Sequence, residues 1–155
     1  MNRLNRYEKL LVEAEKYGVE PVEMPFGKNC GYYCDNVAFI NRSSTTAYKH
    51  GILGEELGHH FTSAGDILNQ SNPNNIKQER KARTWGFEYT VPLTRLAEAI
   101  DYPCTTINEL TEYLEVPKEL LLEAIEYYKQ KYGLYATVNN YTIWFEPLRI
   151  IKMFE

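Results

Sequence analysis

The chain reads as an α+β protein, helical with a small antiparallel sheet, and three patterns support this. Near the start, Leu10, Leu11 and Ala14 keep helical spacing, so one face of that segment is apolar. Further on come short apolar or aromatic runs broken by Pro21, Pro25, Gly27, Gly31 and Asn36, which is the composition of strands and turns. In the tail, Leu134 to Val138 and Tyr141 to Phe145 flank Asn139-Asn140, a loop of the length that joins two hairpin strands.

Taken in order, Asn5 to Tyr17 is expected to form an amphipathic helix, with Leu4, Leu10, Leu11 and Ala14 seeking a core and Gly18 as its stop. Val19 to Met24, Tyr32 to Cys34 and Val37 to Ile40 supply the small antiparallel sheet. Ser43-Ser44-Thr45-Thr46 offers N-cap side chains for a helix running to about Thr62. Ser63 to Asn75, rich in Ser, Asn, Gly and Pro, returns the chain so that Glu79, on the next helix, faces His59. Pro92 interrupts or caps that helix, and Leu93 to Ile100 continues helical. Ile107 to Leu114 and Lys118 to Tyr132 are two helices separated by Glu115-Val116-Pro117. This pair superficially resembles a DNA-binding helix-turn-helix, but Glu119, Glu123 and Glu126 on its second helix would repel phosphate, so it reads as core scaffold. Leu148 to Phe154 adds a last strand.

At 155 residues and 44% apolar content, the chain suits one domain, residues 1–155, with a sizeable core. A net charge of −4 argues against direct nucleic-acid binding, which needs a basic surface. The N-terminus is charged and has no apolar h-region, and no window approaches a membrane span, so the protein is expected in the cytoplasm. Three cysteines, Cys30, Cys34 and Cys104, are an odd number without C-x-x-C spacing. They are read as reduced and structural, the alternative being that Cys30 and Cys34 form half a zinc site without a second pair.

The chemistry concentrates in Glu55-Glu56-Leu57-Gly58-His59-His60 and, twenty residues beyond His59, Glu79. In H-E-x-x-H on a helix, two His bind zinc and the Glu is the general base. Here Glu55 stands at the first ligand position, while Glu56 and His59 keep the base and second-ligand positions. Glu55 and His59, at i and i+4, project from one helix face, so they can chelate one ion with Glu79 as third ligand. Glu56 lies about 100° round from Glu55, able to reach a water at the ion without being a ligand. Two carboxylates and one imidazole make a harder, more anionic donor set, acceptable to zinc, manganese or magnesium. His50 lies about half a turn from His59 and cannot share that face; it reads as a partly exposed helix residue. His60 is an oxyanion-stabilising candidate or a structural neighbour, and Asp66 a candidate to orient the free ring nitrogen of His59.

These residues carry a resemblance. Gly54-Glu55-Glu56-Leu57-Gly58-His59-His60-Phe61, then Glu79-x-x-Ala82-x-x-Trp85, then Val91-Pro92, resembles the ImmA/IrrE family of metallopeptidases, whose pattern is H-E-L-G-H, E-x-x-A-x-x-F and an apolar pair with Pro. The whole chain looks like a short phage and prophage branch in which E-E-L-G-H stands for H-E-L-G-H. The resemblance implies a zincin-like fold, with the active-site helix packed against a second ligand-bearing helix. It also implies a small zinc endopeptidase or antirepressor that acts on a helix-turn-helix repressor of a mobile element.

Two function classes follow: a peptidase in which Glu56 moves the proton, and a binding protein that keeps the fold and holds its partner. The plain alternative is that Glu55, Glu56 and Glu79 are solvated carboxylates and His59 a satisfied core histidine. Thirteen tyrosines leave a similar choice, since Tyr127, Tyr128, Tyr132, Tyr135 and Tyr141 could form a partner-binding face or simply suit strands and half-buried helices.

Overall fold

A computed structural model describes residues 3–25, 30–62, 73–102 and 104–154. Two compact units divide the chain, Met1–Thr90 and Val91–Glu155. Among the described residues no helix is long and apolar enough to cross a membrane.

The first unit begins with α1, Arg6–Lys16, capped by Asn5, whose Oδ1 accepts the Glu8 N–H at 2.8 Å. Tyr7, Leu10 and Ala14 are its buried stripe, at the three-and-four spacing of a half-buried helix. Leu4, expected on that face, lies before the helix and is exposed. Gly18 follows at φ +80°, a left-handed geometry that stops a helix cheaply only at glycine.

Strands β1 (Glu20–Met24), β2 (Gly31–Cys34) and β3 (Val37–Asn41) form a sheet in the order β1-β3-β2. Asp35 and Asn36, at φ 47° and 63°, make the two-residue turn that folds β2 back on β3. Positive φ at both central residues matches the right-handed strand twist, so this pair is antiparallel. The sheet is nevertheless mixed, because β1 pairs with the other side of β3 in parallel, Val22 opposite Phe39. The expectation of a wholly antiparallel sheet fails here because apolar runs reveal strands without their direction, which only the short hairpin turn encodes.

Helix α2, Thr46–Thr62, starts where the Thr45 Oγ1 accepts the Tyr48 N–H at 3.3 Å. It carries Ile52, Leu53 and Leu57 into a core shared with Tyr7, Leu10 and Ala14 of α1, and Ala38 and Ile40 of β3. Helix α3, Pro73–Thr90, packs along α2.

The second unit contains α4 (Leu93–Glu98) with a single 3₁₀ turn after it, α5 (Ile107–Leu114), α6 (Lys118–Tyr132) and the antiparallel sheet β4-β5-β6. Its strands are Tyr135–Val138, Tyr141–Phe145 and Leu148–Lys152, with Val138 opposite Tyr141 across the Asn139-Asn140 turn. Leu110, Leu114, Leu121 and Ile125 of α5 and α6 are buried, as a scaffold role requires, while Leu122 beside them is exposed. Tyr128 and Tyr141 are buried too, the Tyr128 hydroxyl donating to the Val91 carbonyl at 2.8 Å and the Tyr141 hydroxyl to Asp101. Tyr132 and Tyr135 are about half exposed. The five tyrosines thus divide between core and surface and do not form one face.

Candidate metal centre

The site depends on how closely α2 and α3 approach, and small residues set that distance. A Cβ added at Gly58 would overlap the Ala82 carbonyl group, standing 2.8 Å from its carbon and 3.0 Å from the Ala82 Cα. One at Gly86 would stand 3.0 Å from the Glu55 nitrogen, and one at Gly54 would stand 3.2 Å from the Gly86 carbonyl oxygen. Gly54 and Gly58 lie one turn apart on α2, as do Ala82 and Gly86 on α3. The backbones therefore touch along a seam that any larger side chain would wedge open.

Side chains flanking that seam are consequently forced together. One ligand atom each from Glu55, His59 and Glu79 lie within 4.8 Å of one another. His59 Nε2 is 3.3 Å from Glu79 Oε2, with His59 nearly buried and the two carboxylates about one-third exposed. Two carboxylates this close repel unless a cation lies between them. His59 Nδ1 is buried without a hydrogen-bond partner among the described residues, and the other nitrogen faces the acidic pair. The oxygen, oxygen and nitrogen donors fit a divalent cation such as zinc or manganese. Asp66, expected to hold that second nitrogen, lies outside the described residues.

The description IrrE N-terminal-like domain, peptidase M78, is that of the family model matching residues 14–126. The chain belongs to this family. No curated protein and no solved structure matches it. The α+β fold is consistent with the zincin-like fold of M78 domains, and the Glu55, His59 and Glu79 cluster is compatible with it. Its function is metallopeptidase-like, with protein as the class of substrate.

Within this M78 domain Glu56 is only 5% exposed. Burial first, then the charges of Glu55 and Glu79, push its carboxyl well above the ordinary range. Gly31, in the edge strand β2, makes that burial possible: a Cβ there would stand 2.8 Å from Glu56 Oε1 and 3.1 Å from the Phe39 carbonyl oxygen. The strand backbone therefore lies directly over the carboxyl. One turn further along α2, the Tyr33 hydroxyl and His60 Nδ1 are 2.6 Å apart, which ties β2 to the helix end. This contact is the kind that the structural alternative of the two sequence readings of His60 would use.

His50 is a correction: it is 1% exposed, where a partly exposed residue was expected. Its part of α2 is covered by α1 and α3, and it lines a notch with Arg6, Leu10, Glu13 and Tyr89. It does stay out of the acidic cluster, as its angular position requires. Cys30 and Cys34 are exposed thiols, so they are not core residues, and Cys104 is a half-buried thiol. Among the described residues none of them joins a group of three metal-ligating side chains.

Sequence reasoning missed Gly31, Tyr33 and Arg83, whose Nη1 is 3.8 Å from Glu55 Oε2. Arg83 had a signal, since it sits four residues after Glu79 and therefore shares its helix face. Gly31 and Tyr33 had none, because their roles depend on where β2 crosses α2.

Proposed function

We propose that this chain is a metal-dependent endopeptidase-like protein in which Glu55, His59 and Glu79 hold a divalent cation, most consistent with zinc, and Glu56 is the general base. The family match passes through the boundary between the two compact units, which supports reading residues 1–155 as one functional domain. The observation that carries the proposal is the convergence of three ligand atoms from two helices beside a buried carboxyl roofed by an edge strand.

When bound, the cation would polarise the scissile carbonyl and acidify a water. The chain's own groups supply the rest. Glu56 accepts a proton from the attacking water, and the acid so formed delivers it to the leaving amine, so one peptide bond and one water become a carboxylate and an amine. The shelter of β2 limits bulk solvent around that carboxyl, so the water it deprotonates is the one held at the site. Among the described residues strand β2 pairs only with β3, so an extended peptide could add along its other edge and pass over Glu56.

The proposed substrate is a helix-turn-helix repressor of a phage or other mobile element, in the cytoplasm. The family relationship supports a protein target, and the acidic balance of −4 supports reaching DNA only through a protein. A second reading, an antirepressor that holds its partner without cutting it, is favoured by Glu55 itself. A carboxylate ligand makes the cation a weaker Lewis acid than an imidazole would.

Metal analysis of untagged protein together with a cleavage assay separates these readings. The peptidase reading expects about one equivalent of divalent metal and repressor fragments that disappear with Glu56→Gln. Repressor inactivation without fragments, unchanged in Glu56→Gln, establishes the antirepressor. Metal-free protein whose properties ignore His59→Ala removes the metal centre altogether.

A further inference from the structure

Glu55 is the residue that departs from H-E-x-x-H, and the structure places a cation beside it. Arg83 leaves the same face of α3 as Glu79, and its Nη1 stands 3.8 Å from Glu55 Oε2. Its guanidinium carbon also lies 5.9 Å from the centre of the Phe87 ring, within the range where a cation and an aromatic face attract. Counting the imidazole as neutral, as a metal ligand must be, Glu55, Glu79 and Arg83 leave one net negative charge around His59. Two imidazoles and one carboxylate, the donor set of H-E-x-x-H with a Glu as third ligand, carry the same net charge. The guanidinium therefore cancels the charge that the carboxylate at position 55 adds.

We propose that Arg83 is the counter-charge of Glu55: it holds the Glu55 carboxyl beside His59 and Glu79, and competes with a divalent cation for that carboxyl. This rests on the metal reading above. Arg83 is a positioning residue, acting through Glu55 and touching no substrate. It makes a carboxylate tolerable at the first ligand position, at the expense of metal affinity, because a cation entering the site must draw Glu55 away from an existing partner.

The pair is partly exposed, 49% at Arg83 and 36% at Glu55, so a water-like dielectric applies. Two unit charges at that spacing then attract by an amount worth roughly fivefold in an equilibrium constant. Zn²⁺ affinity is measured at low, fixed ionic strength by competition with a chromophoric chelator, using the unmodified chain, Arg83→Gln, Arg83→Lys, Glu55→Gln and the Glu55→Gln/Arg83→Gln double variant. Thermal unfolding confirms that each is folded. Arg83→Gln should bind Zn²⁺ roughly fivefold more tightly, and Arg83→Lys, which keeps the charge, should stay within about twofold of the unmodified chain. In the Glu55→Gln background the Arg83→Gln change should be clearly smaller than with Glu55 present, because the competition has no object and only the guanidinium's direct repulsion of the cation remains. Unchanged or weaker binding by Arg83→Gln overturns the proposal, as does an equal effect with and without Glu55. If the unmodified chain binds no Zn²⁺ saturably and His59→Ala is indistinguishable from it, the metal reading falls and takes this role with it. If the unmodified chain binds through His59 while Arg83→Gln changes nothing, only the role of Arg83 falls.

Discussion

Replacing Gly58 by alanine tests whether the α2–α3 seam sets the ligand geometry. In a helix interior this exchange ordinarily stabilises by about 0.5–1 kcal/mol, since glycine loses more backbone freedom on folding. Here the new methyl would overlap Ala82 backbone, 2.8 Å from its carbonyl carbon and 3.0 Å from its Cα. Ordinary contacts begin near 3.4 Å, and backbone in the middle of a helix cannot rotate away. The helices must therefore part by at least roughly half an ångström, an overpacking penalty of about 1–3 kcal/mol that reverses the usual sign. Net destabilisation of about 1–2 kcal/mol corresponds to a fall of roughly 2–8 °C in Tm for a chain of this size. The same displacement separates His59 from Glu79, 3.3 Å apart at present, and metal–ligand distances tolerate only about 0.2 Å. Metal affinity should then drop at least roughly tenfold, as it commonly does when ligands are mis-set. Differential scanning calorimetry and chelator competition on one preparation measure both effects. A Gly58→Ala protein as stable as its parent, with undiminished metal binding, would refute the claim that backbone contact holds the site together.

Other perturbations address other parts of the site. Glu56→Gln should alter how the metal-free protein responds to pH: a folded-state pKa raised well above 4.5 gives stability that is complete below the unfolded value and is lost as pH rises through the folded one. Denaturant melts should therefore show the parent weakening as pH rises from about 4.5 towards the folded value, while the variant stays flat over that window; parallel curves would mean that Glu56 is not the buried acid. With His59→Ala, added Zn²⁺ should no longer raise Tm, whereas the parent should gain about 2.7 kcal/mol at a hundredfold excess of metal over Kd; equal shifts in both would place the metal elsewhere. Tyr33→Phe, which loses the hydroxyl 2.6 Å from His60 Nδ1, should speed amide exchange in β2 and leave β1 unchanged, as read by hydrogen-exchange mass spectrometry; unaltered β2 protection would show that the strand needs no such anchor.

Elements whose signal is local were legible from the residues alone. Helix α6 begins after Pro117 and stops before Gly133, both visible as letters, and its span Lys118–Tyr132 matches the reading residue for residue. The cap at Thr45, the stop at Gly18 and the hairpin at Asn139-Asn140 are equally local. The direction of β1 was not legible, because parallel pairing is decided by which side of β3 remains free after the β2 hairpin closes. Burial of His50 depends on helices α1 and α3 covering it, and a period of 3.6 states which way a residue points without saying what lies there. In the site, spacing singled out Glu55, His59 and Glu79 as ligand candidates, and the structure brings the three side chains together. Arg83 shared a helix face with Glu79 in the letters alone, whereas Gly31 and Tyr33 required the crossing of whole elements to be known first.

The convergence of ligands and the closeness of the helices have a common origin in sequence spacing. On α2 the small residues Gly54 and Gly58 and the ligand candidates Glu55 and His59 repeat at the same interval of four, offset by one residue. Whatever turn of the helix meets α3 therefore carries its ligand at its side, about 100° round. On α3 the small pair Ala82 and Gly86 and the charged pair Glu79 and Arg83 repeat at that interval too, offset by three. Sliding one helix along the other by a single turn, about 5.4 Å, would still match small residue to small residue at one contact, yet would take Glu79 out of reach of His59. Small residues alone thus permit several registers. The register observed is the one in which Gly58 meets Ala82 and Gly86 meets Glu55, and a cation held by Glu55, His59 and Glu79 would favour it over the shifted ones by its whole binding free energy. The metal would then act as a register pin for the fold as well as an electrophile, so chelation should loosen the α2–α3 seam, seen as faster amide exchange at Leu57 to His59, before it affects α6.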